Sequence, residues 1–245
     1  MPIKSMVMFD DYSTPSKVFA MLQGYGGGGK TYTAMQIAAE LAQGAPIAVI
    51  DSEHKARQYK RFFPNIQPIL LEEYSSASFN EAIDMALTIN PAVIIVDSYT
   101  HAWNGKGGVL SEVAKKEAQA GRANKVNFYQ EPKERNVAVL ERLQKLPQHV
   151  LVTIRARDKV KIDKDADGKT IITTLTGQPV QDKEIKFPFD FVFRTEDAGK
   201  VIVCTKTHAS DIFPLRMKFE YGKHIESKQT IAQLFLQWIE ITNNG

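Results

Sequence analysis

The chain has 245 residues, 43% of them apolar and 24% charged, and a formal net charge of +3. This is the composition of an ordinary globular protein with material for one large core, short of the basicity that would by itself announce nucleic acid. The lone cysteine, Cys204, excludes an intramolecular disulfide and, beside Val201 to Val203, reads as core packing in a reducing, cytoplasmic setting. Asp10 and Asp11 closely follow a short apolar stretch, and no run approaches the roughly 18 apolar residues needed to cross a bilayer, so neither secretion nor a membrane partner is expected.

Apolar runs alternate with helical patterns, the signature of an α/β chain with a mostly parallel sheet covered by crossover helices. A first strand is expected over Lys17 to Gln23, followed by a Gly-rich turn and a helix with Ala34, Met35, Ala38, Leu41 and Ala42 on one face, stopped by Gly44. Pro46 to Asp51 reads as the next strand, with an extended stretch near Ile69 to Leu71 and a helix from about Phe79 to Ile89. The unbroken Val93-Ile94-Ile95-Val96 suits a strand, Ala92 to Asp97, buried on both faces at the sheet centre. A polar region from Tyr99 to Lys133 holds one helical pattern, Val109 to Ala120, and a helix near Glu134 to Leu146 precedes a strand over Val150 to Arg155. Phe187 to Arg194 and Val201 to Thr205 read as further strands, antiparallel at one edge, with a β-hairpin between them and Arg155. A last helix, about 228–241, carries Ile231, Leu234, Phe235, Trp238 and Ile239 at helical spacing and is expected to dock on the core. The whole chain, 1–245, reads as one domain with its core over about 17–206, and no internal repeat is visible.

Gly24-Tyr25-Gly26-Gly27-Gly28-Gly29-Lys30-Thr31 satisfies G-x-x-x-x-G-K-[ST] in full, between a predicted strand and a predicted helix as that motif requires. Glycine opens backbone conformations that let successive N–H groups wrap a polyphosphate at a helix N-terminus. Gly24 to Thr31 with the adjoining Tyr32 form the expected ATP-binding set. In it Lys30 neutralises β- and γ-phosphate charge and the Thr31 hydroxyl ligates Mg²⁺. A second metal-side carboxylate belongs at the end of a buried strand, and Asp97 stands there; a capping Asp is the plain alternative. Hydrolysis also needs a group to activate water, and Glu53, after the second strand, falls at the carboxyl edge of the sheet.

Together, Gly29-Lys30-Thr31, Ile50-Asp51-Ser52-Glu53-His54 and Val96-Asp97-Ser98 resemble the RecA-type recombinase core. The chain is most similar to the minimal RecA-like ATPases of bacteriophages linked to recombination and single-strand annealing. Those proteins share the Asp-x-Glu strand end and a stretch like Thr100-His101-Ala102-Trp103, and the resemblance covers about 17–206. It implies that Glu53 is the general base, and it puts Thr153 in the place of a polar sensor that is usually a glutamine. It implies a cation acting on a neighbouring subunit's γ-phosphate, for which Lys206 is the candidate and Arg155 and Arg157 are rivals, and hence a homo-oligomeric ring or filament.

The resemblance also maps two mobile single-stranded-DNA loops onto about 99–130 and 156–178. The first holds Lys106, Lys115, Lys116, Arg122 and Lys125 with Trp103, Phe128 and Tyr129; the second holds Arg157, Lys159, Lys161 and Lys164. Glu112, Glu117 and Asp158 are mixed in, so a solvated face fits equally well. Asp163 to Gly168 matches half of a calcium loop, but Thr174 stands where the bidentate Glu belongs, and a hairpin turning at Asp167-Gly168 fits better. The expected function is an ATPase of phage recombination in the host cytoplasm, with an annealing or single-strand-binding protein as a further partner. A ring-shaped helicase motor and a nucleotide-dependent switch with little turnover are the alternatives.

Overall fold

A computed structural model describes residues 16–120, 128–164 and 169–244. In chain order the elements are β1 (Phe19–Gly24), α1 (Lys30–Ala42), β2 (Ile47–Asp51), α2 (Ala56–Tyr59), β3 (Ile66–Leu70), α3 (Ser76–Thr88) and β4 (Val93–Asp97). Next come α4 (His101–Asn104), α5 (Val109–Ala120), α6 (Gln130–Lys145), β5 (His149–Lys164), β6 (Thr170–Pro179), β7 (Phe191–Glu196) and a 3₁₀ turn at Asp197–Gly199. The chain ends with β8 (Val201–Lys206), β9 (Lys218–Glu220), β10 (Lys223–His224) and α7 (Ile231–Asn244).

The main sheet runs β10-β9-β8-β7-β1-β5-β4-β2-β3, parallel from β7 to β3 and antiparallel from β7 outward to β10, so the class read from the sequence stands. Because side chains alternate across a strand, each buried strand feeds two cores. Ala20, Leu22, Val49 and Ile95 face α1 and α7, with Met35, Ala38, Phe213 and Phe235. Phe19, Met21, Ile50 and Val96 face α3 and α6, with Phe79, Ile83, Leu140 and Leu143. The helix stripes and the unbroken strand runs are thus one fact: helices cover both faces of a sheet whose central strands see no water.

Several boundaries move for local reasons. Ser75 caps α3 by accepting from the Ser78 N–H at 3.1 Å, which starts that helix before Phe79. The strand expected from Phe187 begins only at Phe191, and Phe187 is 73% exposed. Pro188 has no N–H to give a ladder, and the carbonyls of Lys186, Phe187 and Phe189 converge on the Lys206 ammonium instead. The expected last helix starts at Ile231, after Lys228 in a left-handed conformation, and continues to Asn244. Instead of two loops, the described part of 99–130 contains α4 and α5, and the described residues of 156–178 form a ribbon in which Lys159 to Lys164 pair antiparallel with Thr170 to Leu175. The turn expected at Asp167-Gly168, like Arg122 and Lys125, lies outside the described residues.

Candidate nucleotide site

The carboxyl ends of β1, β2, β4 and the parallel part of β5 share one edge of the sheet, where open α/β sheets bind ligands. β1 runs out at Gly24, and the chain doubles back through a tight turn in which the Gly28 N–H donates to the Tyr25 carbonyl at 3.0 Å. Gly27 and Gly29 sit at φ +73° and +76°, a region costly for any residue with a Cβ. At Gly29 a Cβ would also stand 2.6 Å from the Gly199 Cα and 2.7 Å from the Ala198 oxygen, so the cradle packs backbone to backbone on the 3₁₀ turn after β7. α1 opens at Lys30 with no side chain capping it and no acid in its first turn. Its first N–H groups and positive dipole end therefore face the cleft, as an anion requires.

The cleft, of about 400 Å³, is lined by Gly26 to Tyr32, Glu53, Lys55, Tyr59 and Arg155. Lys30 is only 7% exposed, and its ammonium donates to the Tyr25 carbonyl across the loop at 2.8 Å. Burial lowers its pKa, an effect opposed by Glu53 and Asp97. Asp97 is fully buried at the tip of β4 and accepts from two hydroxyls, Thr31 Oγ1 at 2.7 Å and Thr153 Oγ1. Burial raises its pKa, and the two hydroxyl contacts act the other way. A buried carboxylate facing neutral donors alone is costly, and Asp97 beside the Thr31 hydroxyl is a hard-oxygen pair that suits Mg²⁺. Phosphate and water oxygens would have to complete the coordination. The residues present thus fit a magnesium-bound triphosphate: glycine backbone and Lys30 for phosphate, Thr31 and Asp97 for the cation.

Glu53 is positioned by its neighbour. The Asp51 carboxylate accepts from the Glu53 N–H at 3.0 Å and the Ala56 N–H at 2.7 Å, tying the turn before α2. The first acid of Asp-x-Glu is therefore a brace for the second. Glu53 Oε1 meets Arg155 Nε at 2.8 Å and Oε2 meets Lys55 Nζ at 3.3 Å. Burial pushes the Glu53 pKa up, but the Arg155 and Lys55 contacts together hold it below the usual carboxylate value. Behind it, Ser52 Oγ donates to the Ser98 carbonyl and contacts His101 Nδ1, each at 2.8 Å, while the Tyr74 ring packs tilted against the His101 ring, centroids 4.8 Å apart. The Thr-His-Ala-Trp stretch is thereby fastened to the strand that ends in Glu53.

Two expectations are corrected. Thr153 does not face the cleft as a phosphate sensor: it is fully buried and its hydroxyl is spent on Asp97. Lys206 lies at the opposite edge of the sheet, beside Val192, with its ammonium on the carbonyls of Lys186, Phe187 and Phe189 at 3.1, 2.8 and 2.6 Å. Three donors on three carbonyls make it a cap for that turn and leave it no donor to spare for a neighbour's phosphate. Arg155, read as a rival for that task, instead lines the cleft of its own chain, in register beside Gly24. The signal was present in the sequence: Arg155 ends the strand read over Val150 to Arg155, at the carboxyl edge of the sheet where β1 also gives way to the cradle.

Fold and site together define a P-loop nucleotide-binding protein with a mostly parallel α/β sheet. A family model described as an AAA domain matches residues 16–212, and the chain belongs to that family. No curated protein matches it. Among solved structures it is similar to the RadB recombinase, with 17% identity over 81% of this chain and 84% of that one and a TM-score of 0.46. It is also similar to the flagellar accessory protein FlaH from Methanocaldococcus jannaschii, with 11% identity over 82% of each chain and a TM-score of 0.46.

Proposed function

We propose that the protein is a RecA-like ATPase that binds single-stranded DNA and acts in bacteriophage recombination or annealing, in the host cytoplasm and as a ring or filament. The observation that carries the ATPase is the convergence on one cleft of Lys30, Thr31, Glu53 and Arg155, with Asp97 beneath them hydrogen-bonded to Thr31. In this reading Gly24 to Tyr32 hold the triphosphate and Lys30 offsets phosphate charge. Thr31 and Asp97 would hold Mg²⁺, which would supply positive charge beside the phosphates, and Glu53 takes a proton from the attacking water.

Support for DNA comes from a second hollow of about 470 Å³ beside the root of the β5-β6 ribbon, lined by Trp103, Tyr129, Lys133, Arg157, Lys159 and Lys183 among others. Trp103 and Tyr129 pack with ring centroids 5.7 Å apart, and aromatic faces beside cations suit stacked bases and their phosphates. Lys133 is partly spent on Asp182 at 3.2 Å. The phage branch and an annealing or single-strand-binding partner rest on the sequence resemblance alone.

ATP turnover measured with and without single-stranded oligonucleotide tests the reading. Stimulation by the strand is expected, and Glu53→Gln should abolish turnover while keeping nucleotide binding. An unchanged rate in that variant refutes the assignment of the base. One observation favours a nucleotide-dependent switch with little turnover: both Glu53 oxygens are already clasped by cations. Turnover indifferent to DNA, with assembly that follows the bound nucleotide, decides for the switch.

A further inference from the structure

The cleft holds two cations for which the reading above has no task, Arg155 and Lys55, both on Glu53. We propose that Arg155 is a γ-phosphate-responsive gate on Glu53. Its guanidinium clasps the carboxylate until a terminal phosphate enters the cleft, then passes to that phosphate and releases Glu53 to the water. The inference rests on the reading of Glu53 as the base and adds to it a residue of the same chain that recognises the terminal phosphate.

Placement comes first. Arg155 is the register partner of Gly24, at the strand tips where β1 turns into the cradle, and its backbone N–H donates to Thr100 Oγ1 at 2.8 Å. The root of the side chain is thus fixed while its head lies in the cleft with Gly26 to Tyr32. The two partners of the ion pair differ in freedom: the Glu53 side chain is 10% exposed and held in a braced turn, whereas that of Arg155 is 42% exposed. If the pair exchanges, Arg155 moves and Glu53 stays in place.

Chemistry gives the direction of the exchange. A guanidinium is a planar fork of five donors that matches phosphate oxygens, and its contact with Glu53 runs through Nε. A terminal phosphate carries more negative charge than one carboxylate, so it competes well for the same cation. A carboxylate paired with a guanidinium is a poor proton acceptor, and losing the pair restores its basicity. The other charges around Glu53 are Lys55 on its own turn, Lys30 from α1, Asp97 from β4 and His101 from α4. Lys30 belongs to the cradle, Asp97 to the cation, and Lys55 is a point charge on Glu53's own turn at the longer distance of 3.3 Å, so Arg155, a forked donor at 2.8 Å from a different strand, is the group best placed to mask the acid and then reach for phosphate. A nucleoside diphosphate has no terminal group to draw it off, and the gate then stays shut.

The test is the ratio of affinities for a non-hydrolysable ATP analogue and for ADP, both fluorescent and with magnesium, in the full chain. Arg155→Ala should lower affinity for the triphosphate on the order of tenfold or more and leave that for ADP unchanged, as expected for one lost hydrogen bond between charged groups. Arg155→Lys should recover part of the difference, and Arg155→Gln, closer in length, carries the same comparison should the alanine variant not fold. Equal weakening of both nucleotides would mean that Arg155 merely shapes the site, and an unchanged ratio would mean that it never meets the phosphate. Either overturns the gate. Glu53→Gln fails separately: normal turnover there removes the base, whereas the nucleotide ratio in the Arg155 variants judges the arginine alone.

Discussion

Thr153→Val separates two readings of the residue that the structure buries beneath the cleft. Valine has the shape of threonine with a methyl in place of the hydroxyl, so the exchange deletes the donor to Asp97 Oδ1 and leaves Thr31 Oγ1 at 2.7 Å as the carboxylate's remaining hydroxyl contact. A hydrogen bond to a charged group contributes about 1.5–3 kcal/mol, and burying a methyl in place of the hydroxyl returns about 0.8 kcal/mol at a site with no exposure. The net expectation is a loss of roughly 1–2 kcal/mol, read as a lower urea midpoint with an unchanged slope. Function should follow the carboxylate. With Asp97 free to turn, magnesium-dependent affinity for ADP and for a triphosphate analogue should fall alike, on the order of tenfold, while affinity without magnesium is untouched. A sensor of the terminal phosphate would instead give a loss confined to the triphosphate. That outcome, or a variant as stable as the parent with normal magnesium dependence, refutes the positioning of Asp97 by Thr153.

Three further perturbations probe other parts of the site. Gly29→Ala meets a left-handed backbone and the carbonyl of Ala198 at once, so a melt should show a loss of about 3 kcal/mol, whereas Gly26→Ala, whose Cβ meets nothing within 4 Å, should stay within about 0.5 kcal/mol. Lys206→Ala leaves three carbonyls without their shared donor and should cost about 1–3 kcal/mol in denaturant with nucleotide affinity intact; lost turnover at full stability would restore the reading of a cation acting on a neighbour. The Glu53 carboxyl titrates below its usual 4.5 in the fold, so its contribution is present above that pH and lost as the pH falls through the lower folded value. Stability measured across that acid range should decline more steeply for the parent than for Glu53→Gln, and superimposable curves would show that the Arg155 contact contributes nothing.

Legibility in the sequence followed how local the cause was. The cradle was readable because glycine, lysine and threonine at fixed spacing can serve few other purposes between a strand and a helix. β4 was readable because four consecutive β-branched residues require burial on both faces. Cys204 was read correctly as packing: it is fully buried and its thiol is pushed up to about 11 by desolvation. What failed depended on distant partners. The task of Thr153 is set by Asp97, 56 positions away, and that of Lys206 by a turn that Pro188 prevents from pairing. β9 and β10, of three and two residues, are shorter than any periodicity can register. The bracing by Asp51 had a local signal, an Asp ahead of a turn, which was read only as part of a family pattern.

The ribbon and the cradle are joined by an irregularity that no residue pattern announces. Pairing of β5 with β6 slips between Arg157 and Lys159, where Asp158 on β5 stands opposite two residues of β6, Thr176 and Gly177. Such slips re-aim a side chain, and here the carboxylate turns to the Tyr25 hydroxyl inside the cradle, which in turn accepts from the Gly177 N–H at 2.9 Å. Gly177 stands at φ +62°, and its carbonyl is taken by Gln23 Nε2 at 3.2 Å, so both backbone groups of one ribbon residue are held by the end of β1 and the loop that follows it. The hydrogen bond to Asp158 raises the Tyr25 pKa, so the phenol remains a donor throughout the neutral range. The ribbon, with Lys159 and Lys161 along it, cannot shift at its root without pulling on the turn that would hold phosphate. Nor can that turn reshape without loosening the ribbon. A strand bound along the ribbon and a nucleotide in the cradle would therefore act on the same few hydrogen bonds.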